Sequence, residues 1–183
     1  HLDTCLDAHA ELLRLRDEAV VGAIGIGSNL VEPVAMLLDR APFDALLLAG
    51  RYTLLDDSGG ALIAAAHARG VGVVAGGVFN SGVLAMWPQR DPTFGYEPAQ
   101  ASIVARTARI ASICERHGVP MAAAALQYVL SNPAITTVLL GPRSVSELDA
   151  NLAAAECPVP AELWVDLARE GVAEPRQAAS MRH

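Results

Sequence analysis

Thr136-Thr137-Val138-Leu139-Leu140-Gly141-Pro142-Arg143-Ser144-Val145-Ser146-Glu147-Leu148-Asp149-Ala150-Asn151-Leu152 is the stretch on which the fold turns. Thr136 to Leu140 is β-branched and apolar, which predicts a buried strand. Gly141-Pro142 breaks that strand. Ser144 can cap a helix, and Glu147 three residues later completes a capping box. A strand that runs through a tight turn into a capped helix leaves backbone N–H groups at the positive end of the helix dipole. That geometry suits a phosphate. Arg143 adds a fixed charge and a forked donor beside those amides. An ordinary βα turn has the same signature, so support must come from the rest of the chain.

Composition narrows the class. The chain has 183 residues, is 52% hydrophobic and only 18% charged, and so can bury one substantial core. A net charge of −7 and a pI near 5.1 argue against nucleic acid and anionic membranes as partners. Charges, Gly or Pro interrupt every apolar run before membrane-spanning length, and no secretory leader is read at the start. Cys5, Cys114 and Cys157 show neither metal nor redox spacing and are read as reduced thiols of a cytoplasmic protein. The first residue is not Met, which places the natural start upstream. All 13 basic residues are Arg; there is no lysine.

Helices are expected over 2–19, 32–39, 60–69, 100–117, 120–130 and 161–169, besides the one opened by Ser144. Strands are expected over 20–26, 43–48, 71–75 and 136–140. Residues 86–98 read as an irregular excursion and 172–183 as a loose tail, with 1–183 a single domain. Helix and strand alternate with no hairpin signal between strands, which means an α/β fold with a parallel sheet. Polar and glycine-rich residues gather after the strand ends, at Ser28-Asn29, Arg51-Tyr52, Phe79 to Gly82 and Gly141 to Ser144. In a parallel α/β fold those ends share one face.

Two architectures fit. Gly25-Ile26-Gly27-Ser28-Asn29-Leu30 begins like the G-x-G-x-x-G turn of a doubly wound dinucleotide fold, but Leu30 stands where the third glycine belongs. A (β/α)8 barrel places phosphate at the loops after its last two strands, and the two richest loops here follow the last two strands of the chain.

Four blocks carry a resemblance. They are Leu13-Arg14-Leu15-Arg16-Asp17-Glu18 leading to Val21 through Asn29, Leu48 through Asp56, Val73 through Leu84, and Gly141-Pro142-Arg143-Ser144 continuing to Asn151-Leu152. In order and spacing they resemble the C-terminal half of an aldo-keto reductase, nearest its sugar- and pyridoxal-oxidising branch. The resemblance implies the second half of a TIM barrel, strands five to eight with helices four to eight. It implies a small sugar or aldehyde substrate, NAD (with NADP as the alternative) as cofactor, and hydride transfer between them.

It also implies roles. Ser28 and Asn29 would hold the nicotinamide carboxamide, unless they only cap a helix. Phe79, Asn80, Ser81, Gly82 and Leu84 would form the loop over the pyrophosphate. Gly141 and Arg143 would lie near the adenosine phosphate and Asn151 near the adenine. Glu147 would repel the extra phosphate of NADP or accept a ribose hydroxyl, unless it is only a cap. Ala49 and Gly76 depart from the family, standing where many relatives have a Gln and a stacking aromatic. The family's Tyr, Lys, Asp and His tetrad sits on the first four strands, so no catalytic residue is assigned here. His1 is read as loop, Tyr52 and Tyr96 have no nearby base, and Arg51 is read as a surface residue or a substrate contact. No metal site is expected. The chain alone is expected to be inactive. It is also expected to pair with a missing N-terminal half or with its own copies, through an inner face carrying 23–26, 46–48, 73–75 and 138–140. The alternative is a non-catalytic nucleotide-binding or interaction module.

Overall fold

Four strands pair side by side in the order in which the chain makes them. They are β1 (Gly25–Ser28), β2 (Ala45–Ala49), β3 (Gly72–Gly76) and β6 (Thr137–Leu139), all parallel. The computed structural model describes residues 2–172. Each strand-to-strand connection carries helix, as parallel pairing requires: α2 (Val31–Leu38), α3 (Gly60–Ala68), and α4 (Ala101–Arg116) with α5 (Met121–Leu130). Helix α1 (Leu2–Asp17) precedes the sheet, and α6 (Val145–Glu156) and α7 (Ala161–Arg169) follow it.

The sheet order decides between the two architectures. A doubly wound sheet reverses its strand order at a switch point, and this sheet has no reversal. Gly25 and Gly27 lie inside β1 rather than in a turn after it. Gly25 is there for close approach, since a Cβ would sit 2.9 Å from the Ala45 carbonyl oxygen. The doubly wound alternative is therefore set aside.

Three expectations are corrected. The first strand starts at Gly25, not Val20, because the N–H of Val20 still closes the end of α1 on the Leu15 carbonyl at 2.9 Å. The excursion over 86–98 contains a small antiparallel hairpin, β4 (Thr93–Phe94) with β5 (Glu97–Pro98). Its central residues Gly95 and Tyr96 have φ of 62° and 69°, as in a type I′ turn, but Gly-Tyr lacks the usual Asn-Gly signature. Strand β6 is not buried: Leu139 is 54% exposed on the sheet's edge.

Alternation along the strands sorts the two faces. Leu46, Leu48, Val73 and Ala75 are buried on the helix side with Ile63, Ile110, Ile113, Leu126, Leu163 and Leu167. The register puts Leu47, Val74 and Thr137 together on the other face, and Ala49, Gly76 and Leu139 likewise. That face is only partly covered, and it carries half the residues expected of it because every second one turns to the helices. The chain stays folded through Val172, which is 3% exposed. Residue 172 thus belongs to the core, while His1 and 173–183 lie outside the described residues.

The other histidines have structural partners or face solvent. Buried His9 donates from Nε2 to the Pro42 carbonyl and meets Phe43 edge-on, while His67 is exposed. His117 hydrogen-bonds Asp166 at 3.0 Å, and this contact, with Arg116 beside it, holds the Asp166 carboxyl below the usual carboxylate range. Among the described residues no group of His, Cys, Asp or Glu is arranged to hold a metal, and no helix is long and apolar enough to cross a membrane. Burial pushes the Cys114 thiol up to about 11, whereas Cys5 is exposed. Iodoacetamide on the native protein is therefore expected to alkylate Cys5 and spare Cys114. Peptide mass spectrometry checks this; equal labelling of the two would show that α4 is not packed as described.

Candidate functional site

The strand ends converge on one rim. After β3, Gly77 turns at φ 62°, and a Cβ on it would lie 3.0 Å from the Gly50 nitrogen. Asn80, Ser81 and Gly82 then take successive φ values of 45°, 58° and 89°. Only the last is a glycine, so Asn80 and Ser81 store backbone strain. Turn bonds use the N–H groups of Asn80, Gly82, Val83 and Leu84, and those of Phe79 and Ser81 take part in none of them. Asn80 is 5% exposed; its Nδ2 donates to the Gly50 carbonyl at 3.3 Å while its Oδ1 is buried without a partner.

After β6 the expected cap forms, with a shift. Ser144 Oγ accepts from the Glu147 N–H at 3.2 Å. The Glu147 carboxylate does not return to the Ser144 N–H as in a capping box. It reaches one residue further, where Oε2 accepts from the Arg143 N–H at 2.7 Å and Oε1 from Arg143 Nη2 at 3.0 Å. The backbone N–H first, and the guanidinium second, hold the Glu147 carboxyl below the usual range. Arg143 remains mostly exposed, so the pair is open to competition from another anion.

Two neighbouring clefts occupy the rim. The larger, about 550 Å³, brings Phe79, Ser81 and Gly82 together with Gly141, Arg143, Glu147 and Asn151. These residues stand about sixty apart in sequence, and the sheet makes them neighbours because β3 pairs with β6. The smaller, about 230 Å³, holds Asn29, Ala49, Gly50, Arg51, Gly77, Asn80 and Ser81. Arg51 is committed there, with Nε on the Asn29 carbonyl at 2.7 Å and Nη1 on Asp56 at 3.0 Å.

Two expected residues line neither cleft. Ser28 accepts the Leu30 N–H at 2.9 Å, a turn-forming bond. Leu84 is fully buried in the core, so it anchors the loop from below. Sequence reasoning missed Gly50, Met86, Phe94 and Tyr96 as cleft residues. Three of these come from the excursion, where no periodicity marks an inward face. A third cleft of about 410 Å³, between Leu38 and Val71, has its Arg69 spent on the Leu38 carbonyl and Asp39.

A sequential parallel sheet with its polar loops on one rim is matched by known proteins. The chain belongs to the aldo/keto reductase family, whose profile matches residues 3–169. Pyridoxal 4-dehydrogenase of Microbacterium luteolum is 39% identical over 162 residues, covering 88% of this chain and 47% of that protein. D-threo-aldose 1-dehydrogenase of a Pseudomonas species is 38% identical over 170 residues, covering 91% and 52%. The holo form of an aldo-keto reductase from Bacillus halodurans superposes with a TM-score of 0.67 at 22% identity, over 93% of this chain and 56% of that one, a likeness of fold. The chain spans about half the length of the relatives it matches. Aldo-keto reductases are oxidoreductases that use nicotinamide cofactors.

Proposed function

We propose that this chain forms the C-terminal, cofactor-binding half of a (β/α)8 barrel in an NAD-dependent oxidoreductase acting on a small sugar or aldehyde/alcohol substrate. One observation carries the reading: the joining of Phe79, Ser81 and Gly82 with Gly141, Arg143, Glu147 and Asn151 in a single cleft. Its volume suits a nucleotide. Its donors suit phosphate, with the unused N–H groups of Phe79 and Ser81 on one side and Arg143 at the start of α6 on the other.

The bound nicotinamide would supply the hydride acceptor or donor. The chain's own residues bind and orient. Asn29 on the smaller cleft would receive the carboxamide, and Ser28 would shape the turn that presents it. The strained loop from Phe79 to Gly82 would face the pyrophosphate with preorganised amides, while Leu84 fixes the loop to the core. Gly141, on the wall of the larger cleft, would lie near the adenosine phosphate, and Asn151 on the next turns of α6 would meet the adenine. The partly covered sheet face and the unpaired edges of β1 and β6 would be completed by an N-terminal half or a second copy.

Arg143→Ala is expected to raise the Kd for NAD about tenfold, the loss of one exposed charge-assisted contact. Calorimetric titration of the 183-residue protein tests it. An unchanged Kd would make the turn after β6 an ordinary βα connection.

A further inference from the structure

The two clefts share a ridge made of Ser81 and Tyr96, which line both. Tyr96 is the unusual member. It is 90% exposed, far more than an aromatic ring gains from in water. Its φ of 69° is an outlier for a bulky side chain. Strain of this kind persists only where surroundings impose it, and here the Tyr96 N–H donates to Ser81 Oγ at 3.1 Å. The hairpin is thus tied to the left-handed loop, and Phe94, packed against the core, holds its other side. Tyr96 is therefore presented, not loose.

Beneath it the smaller cleft is walled by Ala49, Gly50 and Gly77, which offer backbone and almost no side chain. A flat ring entering that cleft finds its aromatic partners only in Phe94 and Tyr96 among the lining residues. Phe94 is half-buried in the core, which leaves Tyr96 free to meet a ligand.

We propose that Tyr96 is a binding residue of the dinucleotide site, its ring covering the ligand where the two clefts meet and packing on the nicotinamide half. This rests on the reading of the clefts given above. It assigns the contact to the ring rather than to the hydroxyl. Tyr96→Phe should then bind NAD like the wild type, and Tyr96→Ala should raise the Kd about five- to tenfold. AMP, which lacks the nicotinamide half, should bind wild type and Tyr96→Ala alike. A merely structural role would move both ligands and the melting temperature together.

The test is titration of NAD and AMP against the 183-residue protein and its Tyr96→Ala, Tyr96→Phe and Arg143→Ala variants, with a thermal melt of each. The proposal stands if Tyr96→Ala weakens NAD alone and leaves the melt in place. It is overturned if Tyr96→Ala binds NAD normally, if it weakens AMP equally, or if Tyr96→Phe is as weak as Tyr96→Ala. If Arg143→Ala still weakens NAD in any of those cases, the cofactor reading survives without Tyr96. No NAD binding by the wild type would overturn both.

Discussion

Purified 183-residue protein is expected to bind NAD yet turn over no sugar, alcohol or aldehyde. Hydride transfer at a carbon bearing oxygen requires a proton to move at that oxygen, and a positioned acid or base contributes roughly 10²–10⁴-fold. Glu147, the carboxylate that lines the larger cleft, is already engaged by the Arg143 N–H and guanidinium. A lysine to depress a phenol's pKa is absent from the entire sequence. Arg51, which lines the smaller cleft, already donates to the Asn29 carbonyl and Asp56. Tyr52 is buried, its ring stacked on Tyr128 at 5.0 Å. Tyr96 is 90% exposed to water, and the lining of neither cleft places a histidine or lysine beside it. The measurement is NADH absorbance over a panel of aldoses, pyridoxal-like alcohols and simple aldehydes. Turnover by this chain alone would show that an acid–base group lies within it, and the half-barrel reading would fail. Turnover that appears only on mixing with a polypeptide supplying the N-terminal strands would support it. A second copy covering the open face would add no lysine, so a dimer seen by sedimentation should remain inactive.

How far the fold was legible depends on what each segment uses to hold itself. Helices α3, α4, α5 and α7 begin and end within a residue or two of the expected places, because Gly70, Gly118, Pro120, Pro160 and Gly171 punctuate them. The parallel sheet followed from apolar runs alternating with helices. The start of β1 was not legible, since Val20 and Val21 are as β-prone as Ile24 and only the end of α1 removes them from the strand. Nor was the exposure of β6: an apolar run reads as buried, and sequence cannot say that a strand stands at an edge. The site divides in the same way. Ser81, Gly82 and Arg143 were singled out because they follow strand ends, a position with physical meaning in any parallel sheet, and Asn151 only through the family resemblance; all four line the larger cleft. Tyr96 was missed because its place depends on a hairpin turn of unusual sequence. Leu84 was placed in the loop by the family resemblance, and its burial shows that its side chain packs in the core.

Replacing Glu147 is expected to shift the preference between the two nucleotides toward NADP. In wild type the carboxylate takes the Arg143 backbone N–H at 2.7 Å and one guanidinium donor, Nη2, at 3.0 Å, leaving the rest of the fork open to solvent. A single phosphate can compete for the guanidinium, because the pair is exposed and screened. A second phosphate nearby would meet the carboxylate itself. Since the Arg143 contacts hold that carboxyl below its usual range, it stays charged as pH falls through neutrality into mild acid. Protonation, and with it any relief for NADP, comes only below the ordinary carboxylate pKa. Any change in the wild-type NAD/NADP affinity ratio near pH 6 should accordingly come from the 2′-phosphate of NADP, a phosphomonoester with a second pKa of about 6, and not from Glu147. Glu147→Arg removes the repulsion, frees Arg143 and adds a second guanidinium, so the ratio should move toward NADP by about tenfold or more at low salt. The shift should shrink as salt is raised, as screening of exposed charges demands. Glu147→Gln separates the two roles: it keeps a side-chain acceptor for the Arg143 N–H but carries no charge. If Gln reproduces most of the shift, charge sets the preference. If both variants leave the ratio unchanged and only lower the melting temperature, Glu147 is a helix cap and cofactor choice lies elsewhere on the rim.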